Sequence, residues 1–403
     1  MSAAIRQYLV ITGNYWAFTL TDGALRMLVV LHFHQLGYSP LDIALLFIFY
    51  EFFGVVTNLV GGYLGARLGL NRTMNIGLFL QILALAMLAV PATVLSVPWV
   101  MAAQALSGIA KDLNKMSAKS GIKLLVPDGQ QGTLYKWVAI LTGSKNTLKG
   151  VGFFLGGVLL MAAGFTGAVV TMAVALTLVW LASLVLLKQE LGKSTAKPKF
   201  TDILSKSRAI NVLSAARMFL FGARDVWFVV ALPVYLHTAF GLDFWQVGGF
   251  MASWIIGYGF VQTLAPRITG GREGRQPAVL WASGLAVIPA AIALGLGAGW
   301  SPEWVVYGGL LLFGVLFAIN SSLHSYLIVS YARGDGVSLD VGFYYMSNAA
   351  GRLLGTLLSG WVYQAYGLEA CLWISALLVA AAAALSLRLP VRRPANAADH
   401  ASV

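Results

Sequence analysis

The chain has 403 residues, of which 59% are hydrophobic and 10% charged, with a mean hydropathy of +0.78. A soluble domain is about a quarter charged, so this composition excludes one and describes a chain that crosses a bilayer many times. The net charge of +12 does not point to nucleic acid, because much of it sits in short loops between apolar runs, where it sets orientation. A single cysteine, Cys371, excludes an intrachain disulfide and a thiolate metal cluster, and neither metal nor cofactor is expected.

With about 20 residues needed per crossing, twelve spans are predicted at 8–34, 41–64, 73–92, 98–119, 132–162, 166–187, 210–237, 244–265, 277–299, 304–327, 340–365 and 369–389. The first is a permanent helix rather than a signal peptide, since it is long, contains Asp22 and Arg26, and lacks a small-residue cleavage site. Glycine and proline mark the turns, from Gly37 to Pro40 at one end of the chain to Ser301-Pro302 near the other. Arg67 and Arg72, Lys119 and Lys123, 188–208, Arg267 to Arg275, and Arg333 all fall in alternate connections. The connections near Gly37, Pro91, Gly164, Gly241, Ser301 and Gly367 hold neither lysine nor arginine, so the positive-inside rule predicts a multi-pass protein with both termini cytoplasmic.

The long polar stretch at 188–209 divides the chain into a six-span half at 1–187 and another at 210–390, followed by a cytoplasmic tail at 391–403. The halves echo each other: Asp22 stands mid-span fifteen residues before Gly37, and Asp225 mid-span sixteen before Gly241. The expected fold class is all-α, two six-helix halves in parallel orientation with the site between them near the midplane.

The segment from Gly108 to Gly150 carries seven lysines between apolar runs. Lys111, Lys115, Lys119 and Lys123 recur every fourth residue and form one helix stripe, and Lys145 and Lys149 repeat the spacing. Asp22, Arg26, Glu51, Lys111, Asp112, Lys115, Lys145, Lys149, Arg217, Arg224, Asp225 and Arg352 fall within spans: eight cations and four anions. Each intramembrane charge costs roughly 2.5 to 3.5 kcal/mol on insertion scales. An excess of four cations therefore calls for an anionic ligand, and oxyanions suit arginine forks and lysine point charges.

Arg26 and Arg224 lead the two halves and are expected to clamp the anion, against the alternative of salt bridges to Asp22 and to a neighbouring acid. Lys111 with Lys145 or Lys149 would add ligands, or else serve Asp112, Glu51 or helix ends; Arg352 is either a ligand or a packing salt bridge. Lys115, Lys119, Lys123 and Lys136 lie nearer the cytoplasm, as snorkelling side chains or as an anion funnel, and Arg217 can belong to either group. Asp22, Glu51 and Asp225 are candidate proton carriers or counter-ions. Asn58, Asn146, Asn320, Ser321, Ser322 and Asn348 read as interhelical hydrogen-bonding groups. His32 and His34 point to different sides of a helix, and with no zinc-protease motif, nucleophile elbow or phosphate loop, an enzyme is not expected.

Gly62 to Arg72, GYLGARLGLNR, resembles the major facilitator superfamily loop pattern Gly-x-Leu-Ala-Asp-Arg-x-Gly-Arg-Arg, with Ala66 in place of the aspartate that latches the halves in that family. Gly150, Gly152, Gly156 and Gly157 resemble its glycine-rich antiporter pattern without the proline. From about Asn14 to the last helix the chain resembles the ArsJ-type organoarsenical efflux permeases of that superfamily. The segments that carry this are TLTDGALRMLVVLHFHQLGYSP, FYEFFGVVTNLVGGYLGARLGLNRTMNIG, QALSGIAKDLNKMSAKSGIKLLVP, WVAILTGSKNTLKGVGFFLGG and SKSRAINVLSAARMFLFGARDVWFVVALP.

The resemblance implies a bacterial inner-membrane exporter of 1-arseno-3-phosphoglycerate, working with the glyceraldehyde-3-phosphate dehydrogenase that makes the ester from arsenate. An organophosphate:phosphate antiporter fits the same charges, and a non-transporting sensor or scaffold is a further alternative.

Overall fold

The computed structural model describes residues 3–38, 46, 48–91, 93–187, 191–195, 199, 204 and 207–390. Most of the linker expected at 188–209 and all of the tail from 391 lie outside the described residues. Among the described residues there is no strand, and the helices follow as α1 Ala3–Gln35, α2 Ile48–Leu68, α3 Leu70–Leu88, α4 Val97–Leu125, α5 Gln131–Leu186 and α6 Arg208–Phe228. They continue as α7 Ala231–Phe240, α8 Phe244–Ile268, α9 Arg275–Gly297, α10 Pro302–Tyr331 and α11 Val337–Ser386.

Two helices are double spans. α5 has 56 residues and α11 has 50, and each breaks at one glycine with left-handed φ: Gly164 (φ 66, ψ −178) and Gly367 (φ 79, ψ −174). A side chain is strained in that conformation, so these glycines permit a reversal with almost no connecting loop. The seventh span is instead split in two, α6 and α7. Pro233, in the first turn of α7, has no N–H to offer Val229, which favours the break before it. α8 starts on a capping box in which Asp243 accepts from the Gln246 amide (2.8 Å) while Gln246 Oε1 accepts from the Asp243 amide (2.9 Å).

With α5 and α11 each counted as two crossings and α6 with α7 as one, the described helices make the twelve crossings expected. Seven described helices are long and apolar enough to cross a membrane. α1, α2 and α4, with 33, 21 and 29 residues, match them in length and carry Asp22, Arg26, Glu51, Lys111, Asp112 and Lys115, half of the intramembrane charges. The most apolar window of α5 is only 22% buried within the protein, against 61% for that of the span formed by α6 and α7. Lipid-facing side chains such as Met161, Leu178 and Val185 are accordingly exposed.

The second half has its own apolar core around Trp227, Phe313, Phe317 and Leu372. The first-half core, around Phe18, Leu28, Leu78 and Val138, continues into Leu323, Tyr326, Val329, Val337 and Val341 of α10 and α11. The two halves are thus packed together at the end that carries the basic loops. There Ser338 donates to the Gly62 carbonyl (2.7 Å), Tyr326 to Gln131 Oε1 (3.0 Å) and Lys123 to the Ser330 carbonyl (3.4 Å). Ala66, where the loop pattern has aspartate, is buried and accepts from the Ser194 amide (2.8 Å), so direct packing of α2 on α11 joins the halves here.

Candidate functional site

Between the halves lies a cavity of about 400 Å³. Its wall holds nine basic side chains: Arg26 from α1, Lys111, Lys115 and Lys119 from α4, Lys145 and Lys149 from α5, Arg217 and Arg224 from α6, and Arg352 from α11. Among the described residues no carboxylate belongs to that wall. The i, i+4 spacing of the lysines places them on one face of α4 and one face of α5, and the packing of both helices on α1 turns those faces toward the cavity.

Four carboxylates stand behind the wall, each committed to particular cations. Asp22 accepts the Tyr50 hydroxyl (2.7 Å) and lies 4.0 Å from Lys149. Asp112 holds Lys115 at 2.6 Å. Glu51 meets Arg352 at 3.1 Å and Arg26 at 3.7 Å, and so bridges the halves. Asp225, fully buried, binds Arg224 at 2.5 Å and Arg352 at 3.2 Å.

Lys111, Lys119, Lys145 and Arg217 have no carboxylate within 4.0 Å among the described residues. Neutral groups hold them instead. Lys119 donates to Thr142 Oγ1, Lys145 to Asn146 Oδ1 (3.2 Å), and Arg217 to Asn348 Oδ1 (2.8 Å) and the Ser321 carbonyl (3.2 Å). Aromatic faces stand against the chamber's cations, each serving two of them: Phe221 and Tyr345 in the wall and Tyr50 behind it. Tyr50 lies 3.8 Å from Lys111 and 5.3 Å from Arg26, and Phe221 3.9 Å from Arg217 and 4.8 Å from Arg224. Tyr345 lies 4.7 Å from Lys115 and 5.5 Å from Lys119. A ring quadrupole offsets part of a cation's desolvation without neutralising it, which leaves the chamber strongly positive.

Some pairings differ from those read in the sequence. Arg26 pairs with Glu51 rather than Asp22 one turn away, because Asp22 turns toward Tyr50 and Lys149. Arg224 does pair with its neighbour Asp225, and Lys111 pairs with neither Asp112 nor Glu51. Lys119, read as either a snorkelling side chain or part of an anion funnel, is 3% exposed and lines the chamber. Lys123 and Lys136 do not; Lys123 reaches Ser330 in the seal below, and Lys136 is exposed. Asn146 bonds Gln262 across the halves, whereas Asn320 and Ser322 make contacts within the second half.

Tyr50, Phe221 and Tyr345, whose rings face the chamber's cations, are not singled out by the sequence. Their only signal is Tyr50 beside Glu51 and Phe221 one turn from both arginines, and aromatic residues are common elsewhere in this chain.

Structural comparison supports the same architecture. The human organic anion transporter MFSD10 (TETRAN) superposes with a TM-score of 0.74 at 17% identity, covering 96% of this chain and 100% of that one. The E. coli fucose:proton symporter FucP gives 0.75 at 13% identity, covering 97% and 100%. A bacterial homologue of the iron transporter ferroportin, in an outward-facing state, gives 0.72 at 13% identity, covering 94% and 99%. At these identities the likeness is one of fold. No curated protein matches the chain. The sequence profile described as Major Facilitator Superfamily matches residues 9–339, most of the chain, and the protein therefore belongs to the Major Facilitator Superfamily, a family of membrane transporters.

Proposed function

We propose that this protein exports a small organic polyanion, the organoarsenical ester 1-arseno-3-phosphoglycerate, from the bacterial cytoplasm by alternating access. The observation that carries the anion assignment is, among the described residues, a wall of nine cations without a carboxylate, four of them with no acid within 4.0 Å. A ligand with an oxyanion group at each end would supply the missing charge, taking arginine forks at one end and lysine point charges at the other. The choice of an arsenical rests on the long segments that resemble the ArsJ-type permeases. With the basic loops and both termini cytoplasmic, the halves are sealed on the cytoplasmic side, as in a state that releases outward.

In this reading Arg26 and Arg224 clamp the anion between the halves, and the ester relieves repulsion among the lysines of α4 and α5. That relief lowers the cost of rocking one half against the other. Glyceraldehyde-3-phosphate dehydrogenase would supply the substrate.

The test is arsenic uptake into everted vesicles given the dehydrogenase, NAD, glyceraldehyde 3-phosphate and arsenate. Accumulation is expected only when both the transporter and the dehydrogenase are present. Failure with folded protein in the membrane would reject ester export and leave organophosphate exchange, read by counterflow of labelled phosphate. Arg26→Gln and Arg224→Gln should each lower transport by about tenfold or more, the equivalent of one lost charge-assisted hydrogen bond; normal transport by both would reject the clamp.

A further inference from the structure

A second cavity of about 830 Å³ adjoins the cationic chamber on the end away from the basic loops. Leu31, Phe154 and Val158 form its wall on the first half, and Val234 and Trp245 on the second. Phe153 and Met251 belong to both cavities, so the two spaces share a boundary. Among the described residues this vestibule has no Asp, Glu, Lys or Arg in its wall, its two titratable side chains being His34 and His237, whereas the chamber below has nine basic side chains. Charge is therefore separated along one path: cations and amides inside, and outside a wall that is hydrocarbon apart from two imidazoles. A path for a uniformly hydrophilic solute needs no such apolar room, and most of the wall gains nothing from water.

We propose that the site also accepts amphiphilic organic anions, with the oxyanion head in the chamber and the hydrocarbon portion in the vestibule beyond Phe153 and Met251. This rests on the chamber being the anion site proposed above. The continuity of the two cavities and the charge segregation between them argue for one ligand spanning both, rather than for a separate lipid lying in the vestibule. Because α1 and α5 supply one wall and α7 and α8 the other, the hydrocarbon portion contacts both halves. Its burial would favour the conformation in which they are parted at this end.

Calorimetry on the protein in nanodiscs, with empty discs subtracted, compares inorganic phosphate with ethyl, butyl and hexyl phosphate. Affinity should rise by about three- to fourfold per methylene, the factor that burial of one methylene provides. Gly248 and Gly249 line the vestibule, and a Cβ at either meets no atom within 4 Å, so a side chain there can fill the space without displacing a helix. Gly249→Trp, with Gly248→Leu as the second variant, should reduce hexyl phosphate binding to that of ethyl phosphate and leave inorganic phosphate unchanged. Equal affinity across the series overturns the inference, as does a gradient that survives in both variants, which would place the chains in the surrounding lipid. If inorganic phosphate and every ester fail to bind, the anion site itself is rejected; binding of phosphate without a chain-length gradient rejects the vestibule alone.

Discussion

The two halves contain the same ion pair built from different cations. Asp22 and Asp225 stand 203 positions apart, as do Lys149 and Arg352, Gly152 and Gly355, and Gly164 and Gly367. In each half the aspartate of the leading helix faces the cation of the fifth span. The glycine three residues beyond that cation brings the helices close: a Cβ on Gly152 would sit 2.7 Å from the Leu20 carbonyl, and one on Gly355 2.6 Å from that of Gly222. Chemistry separates the copies. Asp225 is gripped by two arginines at 2.5 and 3.2 Å, whereas Asp22 has a tyrosine hydroxyl at 2.7 Å and a lysine at 4.0 Å. A guanidinium fork holds one geometry and keeps its charge, while an ammonium on a flexible stem can move toward a ligand. The second-half pair is thus a brace, extended by Arg352 to Glu51 in the first half, and the first-half pair is the more readily rearranged.

The strongest way to break this comparison is to remove each acid. Asp225→Ala leaves two guanidiniums uncompensated in a buried site and should cost about 3 to 5 kcal/mol of stability, read by chemical unfolding in nanodiscs. Asp22→Ala should cost less, about 1 to 3 kcal/mol, since it strands one hydroxyl and one distant ammonium. Equal losses would show that the two pairs do not differ in kind. Exchanging the cations sharpens the contrast. Arg352→Lys gives up the fork that joins Asp225 to Glu51 and should lower vesicle transport by about tenfold or more, whereas Lys149→Arg should stay within about threefold of the parent. The smallest effect, alike in both halves, is expected at the turns. Gly164→Ala and Gly367→Ala should each cost about 1 to 3 kcal/mol for the positive φ with extended ψ, and a large difference between them would mean that the two turns carry unequal load.

Much of this site is legible in the sequence. Every cation of the chamber is visible as a charge in or beside an apolar span, where it is too costly to be accidental. Lys119 shows the limit of that reading. Its position near a predicted span end leaves snorkelling and an anion funnel open, and the packing of α4 against α5 turns it inward to Thr142. Arg26 shows the same limit, because the acid one turn away is the natural partner on an isolated helix, and Glu51 on α2 becomes available only when α1 and α2 pack. Tyr50, Phe221 and Tyr345 are hidden because aromatic residues are frequent throughout the chain. Only their distance from two cations each sets them apart.

Hydropathy and the placement of lysine and arginine by themselves determined the twelve crossings, the division into halves and the positive character of the interior, because the bilayer penalises each exposed polar group locally and a linear sequence records local costs. The tertiary structure alone decided which acid neutralises which base, which four chamber cations have no acid within 4.0 Å among the described residues, and that an apolar vestibule lies against the charged chamber. Those outcomes depend on contacts such as Arg352 with Glu51, 301 residues apart, that arise only when helices from both halves share one interface.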